Sequence, residues 1–107
     1  MPKKLFPTLM PYTHDHTMHK DDVVALVTTS TVDVTMLLPD TIDVGRELVI
    51  KKVAGPNNKH VIVAVNIAGQ MIDGATSVDL VKAGECLTII FNGTTDTWMI
   101  KDWYIPQ

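Results

Sequence analysis

Cys86-Leu87-Thr88-Ile89-Ile90-Phe91-Asn92-Gly93 is the stretch that decides the fold class. Leu87, Ile89 and Phe91 alternate with Thr88 and Ile90, which is the two-residue period of a strand with one face on a core. Asn92-Gly93 follows at once, and both residue types accept positive φ cheaply, so the pair predicts a tight hairpin turn. Trp98 and Ile100 alternate with Met99 and Lys101 as the returning strand. Cys86 is expected as a small core residue. It is the only cysteine, so no intrachain disulfide can form.

The same signals run upstream. Val32, Val34, Met36 and Leu38 alternate with Asp33, Thr35 and Leu37. Leu48-Val49-Ile50 with Val53 forms another apolar run, and Val61 to Val65 is rich enough in β-branched residues to predict a strand buried on both faces. Val78 and Leu80 flank Asp79. Turn residues separate the runs at Pro39-Asp40, Gly45, Gly55 to Asn58, Asn66 to Gly69, Asp73-Gly74 and Gly84. A turn about every ten residues suits a sandwich or barrel of short strands. His19 to Val27 is the best helical window, but Val23, Val24 and Val27 favour a strand. No internal repeat is evident.

These patterns predict an all-β chain: an antiparallel β-sandwich over residues 22–107, with a jelly roll as its finer form. Residues 1–21 differ. They hold Pro2, Pro7 and Pro11, three of the six prolines, and read as an extended N-terminal arm outside the core. At 107 residues there is room for one domain with a thin core, which oligomerisation would thicken. The net charge of −3 argues against a sequence-independent grip on nucleic acid. Lys3-Lys4 and Lys51-Lys52 are too short to make a basic patch. No segment approaches the ~20 apolar residues of a membrane span. Leu5-Phe6 is too short for the core of a signal peptide, so folding in the cytoplasm is expected.

No phosphate loop, nucleophile elbow, CxxC or HExxH is present, and no catalytic residue is expected. Asp73 reads as the start of a turn and Asp79 as the solvent face of a strand. The conspicuous cluster is Tyr12-Thr13-His14-Asp15-His16-Thr17-Met18-His19. On an extended strand His14 and His16 point to the same side. Three chains around an axis would offer six imidazoles to a transition-metal ion. The plain alternative is a solvated polar arm. His19 is out of phase, and His60 is expected on the surface. Trp98 is expected in the core, whereas Trp103 and Tyr104 are candidates for contact with a sugar or protein ligand.

From Val32 to Trp98 the order of features resembles a β-domain of bacteriophage tail-fibre, tailspike and head-fibre proteins. The features are Leu38-Pro39, Gly45 before Val49-Ile50-Lys51-Lys52, Asn57-Asn58 before Val61 to Val65, Ile72-Asp73-Gly74, Ala83-Gly84, Leu87 to Phe91, Asn92-Gly93 and Trp98. The resemblance covers roughly two-thirds of the chain. It implies a non-catalytic virion component, a fibre or capsid-decoration module assembled in the host cytoplasm, homotrimeric, near the site of host attachment. It implies other virion proteins as partners through the arm, and a host-surface glycan as a further partner. HxH pairs in trimeric phage fibres and spikes bind a metal on the axis, and His14 and His16 are similar to that motif, though here it lies outside the matched region. A stand-alone carbohydrate-binding module is the alternative reading.

Overall fold

The computed structural model describes residues 9–19, 22–39, 45–93 and 95–107. Among them are nine strands: β1 (Leu9–Tyr12), β2 (His16–Thr17), β3 (Val24–Thr28), β4 (Val34–Leu37), β5 (Glu47–Ala54), β6 (Val61–Ala64), β7 (Ser77–Leu80), β8 (Cys86–Asn92) and β9 (Thr97–Tyr104). They form a five-stranded sheet in the order β1-β3-β5-β8-β9 and a four-stranded sheet in the order β2-β4-β6-β7. The all-β expectation holds, and the two sheets share one core in a sandwich-like arrangement. No helix in the described residues is long and apolar enough to cross a membrane.

The pairing corrects the antiparallel expectation. β1–β3, β3–β5, β2–β4 and β4–β6 are parallel, and only β5–β8, β6–β7 and β8–β9 are antiparallel. The first six strands alternate between the sheets, so the chain winds as a flattened coil before β7, β8 and β9 close it. Parallel neighbours need a crossover, and each crossover here is a strand of the opposite sheet. A jelly roll is built from antiparallel Greek keys, and these parallel pairs follow a different path.

The two-residue period determines what is buried. Leu87, Ile89 and Phe91 of β8 face the core with Leu48 and Ile50 of β5, Ala25 and Val27 of β3, Val34 and Met36 of β4, and Val61 and Val63 of β6. Trp98 is fully buried and meets the Phe91 ring edge-on at 5.1 Å. Such aromatic pairs add about 1 kcal/mol beyond their buried area. Ile62 and Ala64 are only half-buried, so β6 is covered fully on one face rather than on two. Cys86 lies in the opposite phase to Leu87 and is half-buried outside the core.

The arm expectation is corrected too. Leu9–Tyr12 and His16–Thr17 join the two sheets as edge strands, and Met18 is a core residue. The first eight residues lie outside the described residues, as do 20 and 21. Asp73-Gly74 is the tight turn expected, with φ of 46° and 88° and both backbone bonds closed between Ile72 and Ala75. The β8–β9 turn differs: Asn92 still pairs with Thr97, and the left-handed conformation falls on Asp96, φ 54°.

Each sheet edge carries a feature that opposes further pairing. Proline occupies β1 at Pro11, and β2 is two residues long. The outer side of β9 is occupied near its start: Trp98 N–H donates to Met71 O, Asp73 N–H donates to Trp98 O, and Ile100 N–H donates to the Asp73 carboxylate. A register shift then bends β9 at Lys101. β7 is four residues long and presents exposed Asp79.

Candidate functional site

His14 lies on the β1–β2 connection and His16 is the first residue of β2. Thr13 and His14 form a bend, so His14 and His16 do not share one extended strand. The same-side argument applied to an extended strand, and this bend interrupts it. The His14 Nδ1 is 3.1 Å from Thr13 Oγ1. His16 instead stacks on Tyr12, with ring centroids 4.2 Å apart and an interplanar angle of 24°. Both imidazoles are exposed. Their nitrogens suit a first-row transition metal. Among the described residues no three His, Cys, Asp or Glu side chains converge within one chain.

Tyr12 is held from below. Its hydroxyl donates to Asp22 Oδ2 at 3.4 Å, and the same oxygen accepts the His19 N–H at 2.8 Å. Asp22 is buried, and its backbone carbonyl accepts from Arg46 Nη2 at 2.9 Å. Burial, the Asp22 charge and the hydrogen bond to Asp22 together push the Tyr12 hydroxyl above the ordinary tyrosine range. Beside this stack, Asp15, His16, Thr17, Thr35 and Leu37 line a depression of about 290 Å³.

Trp103 and Tyr104 part company, as adjacent strand residues do. Trp103 pairs with Leu87, packs against the core, and donates its indole N–H to the buried Glu85 carboxylate at 3.1 Å. Tyr104 points the other way and is 59% exposed, next to Ile105 at 50%. Of the two expected ligand contacts, only Tyr104 offers an open ring.

The largest feature missed at the sequence level is the outer face of the five-stranded sheet. Register partners share a face. One row runs Leu26, Lys51, Cys86, Tyr104, and the next runs Val24, Val49, Thr88, Asp102. Ile90 and Met99 continue the face beside Glu47. Among the described residues no strand is layered over Val24, Leu26, Val49 and Ile90, which are half-buried, and Met99 is 40% exposed. Polar residues normally take this phase when one face of a sheet meets water. The signal was present in the unbroken runs Leu48-Val49-Ile50 and Ile89-Ile90, which carry apolar residues in both phases. One ion pair lies at the margin: Lys101 Nζ is 2.6 Å from Glu47 Oε2.

His60 is at the surface, as expected, and its Nδ1 lies 3.0 Å from Asp79 Oδ2. No protein-family model matches the sequence, and no curated protein matches it.

Proposed function

We propose that the protein is a non-catalytic structural module of a phage virion, a fibre or capsid-decoration component that works as a homotrimer in particle assembly or host attachment. The observation that supports this reading is the group of apolar residues on the outer face of the five-stranded sheet, set among Lys51, Thr88 and Asp102. Val24, Leu26, Val49 and Ile90 are the residues a monomer would make polar and an assembled module would cover. Function would then rest on many weak contacts multiplied by copy number. Residues 1–8 would supply the link to other virion proteins, and His14 and His16 a metal shared between chains.

Native mass spectrometry with and without a chelator tests this. A trimer that loses one metal per three chains to the chelator supports the assembly and the histidine role together. A trimer indifferent to the chelator keeps the assembly and removes the metal. A clean monomer at micromolar concentration sinks the reading. It would shift weight to a stand-alone carbohydrate-binding module, for which the exposed Tyr104 ring is the specific observation, and a glycan panel read by binding would follow.

A further inference from the structure

Lys52 is fully buried. In β5 it takes the inward phase after Leu48 and Ile50, where a lysine is rare unless its charge is satisfied. Among the described residues its ammonium meets no carboxylate directly. It donates to three backbone carbonyls: Pro56 O at 2.8 Å, Lys59 O at 2.7 Å and Val81 O at 2.5 Å. An ammonium has three N–H donors and no acceptor, so three carbonyls satisfy it completely. A neutral amine has only two N–H donors. The three acceptors therefore select the charged form. Burial pulls the ammonium below the ordinary lysine range, and the Glu85 and Asp33 carboxylates offset only part of that fall.

The carbonyls are held by groups other than the ammonium. Lys59 O also accepts from Thr29 Oγ1 at 3.1 Å. Gly55, φ 125°, lies so close to Thr29 that an added Cβ would come within 2.1 Å of Oγ1, which sets the path into Pro56. The Glu85 carboxylate accepts the N–H groups of both Val81 and Lys82 and anchors the third carbonyl. Lys52 N–H to Glu85 O and Gly84 N–H to Lys52 O lock β5 to that same turn. The arrangement is thus a preorganised ring of oxygens facing one positive charge, the device by which carbonyls replace the hydration shell of a cation.

We propose that the Pro56, Lys59 and Val81 carbonyls form an ammonium-binding site for which Lys52 is the tethered ligand, and that shortening Lys52 converts it into a site for a free primary alkylammonium. Lys52→Ala removes three methylenes and the ammonium, which together correspond to n-propylammonium. The site holds the 55–60 connection and the 81–85 turn to one charge, so its occupancy is read as stability.

The test is thermal melting of Lys52→Ala in n-propylammonium chloride against tetramethylammonium chloride at equal ionic strength. Tetramethylammonium carries the same charge and no N–H donor. The expected result is a saturable rise in Tm with n-propylammonium alone, absent in the unaltered protein. Equal effects of the two salts overturn the proposal. If Lys52→Ala does not fold, Lys52→Met keeps the apolar stem and removes the donors, and it is expected to fold with lowered Tm and to ignore n-propylammonium. A Lys52→Met variant as stable as the unaltered protein overturns the proposal. In the unaltered protein, ¹⁵N NMR is expected to show the Lys52 side chain as a slowly exchanging NH₃⁺ at neutral pH, and a neutral or freely exchanging amine overturns it.

Discussion

The Asp33 carboxylate accepts the backbone N–H of His60 at 2.7 Å, one step before the Val34–Val61 pair of the parallel β4–β6 ladder. Asp15 makes the same bond to Thr35 N–H at 2.7 Å, one step before the His16–Met36 pair. The first two turns of the coil thus enter the four-stranded sheet with an aspartate that caps a backbone donor of the next turn. Both residues begin an Asp-x-Thr-Met sequence, at 15–18 and at 33–36. The chain carries a repeat after all, four residues long.

Asp33→Ala leaves the His60 N–H without this acceptor and loosens the entry to β6. A cost of about 1 kcal/mol is expected, the ordinary net value of such a bond. Urea unfolding measures it. Asp15→Ala should cost less, because it frees only the two-residue edge strand β2. A larger effect at Asp15 than at Asp33 contradicts the capping role.

Gly55→Ala should be among the most damaging glycine substitutions. It forces a side chain into φ 125° and against the Thr29 backbone. The expected loss exceeds about 1 kcal/mol. Gly69→Ala, with φ 93° and open space, carries the backbone strain without the collision and should cost less. Thermal melts of the two variants rank them.

Tyr12 predicts an alkaline sensitivity. Its hydroxyl ionises above the ordinary value of 10.0, so the folded state holds that proton more tightly than the unfolded chain does. The Tyr12 contribution is therefore complete below the unfolded pKa and falls away as pH rises through the raised one. Unfolding free energy followed upward from about pH 9 should decline, and Tyr12→Phe should remove part of that slope. An unchanged slope in Tyr12→Phe places the sensitivity elsewhere.

Val49→Lys puts a charge in the middle of the apolar sheet face without touching the core. If copies associate through that face, the variant should sediment as a monomer whose far-UV spectrum matches that of the unaltered protein. The change in intrinsic stability should stay within about 1 kcal/mol, the span of strand preferences at a half-buried position. An intact oligomer in Val49→Lys moves the interface away from this sheet.

The strands were legible because burial follows a two-residue period. Leu87, Ile89, Phe91 and Trp98 all fall where alternation puts them. The turn at Asp73-Gly74 was legible because its chemistry is local. The winding was not, because alternation says which face of a strand is buried and nothing about which strand lies beside it. His14 and His16 show the same limit: the sequence spacing assumed an extended strand, and the bend at Thr13-His14 breaks it. Lys52 was read only as half of a short basic pair. Its inward phase was visible, but the three carbonyls that make burial tolerable come from residues that are distant or unremarkable in sequence.

The guarded sheet edges bear on what happens when copies crowd together. Many molecules held on one small surface reach local concentrations at which an open strand recruits its neighbour and seeds a fibril. Here Pro11, the brevity of β2 and the Asp73 loop over β9 remove the templates for such growth. Packing at high density can then proceed only through side-chain surfaces, which can be outgrown, competed for and released, and the sheets themselves stay finite.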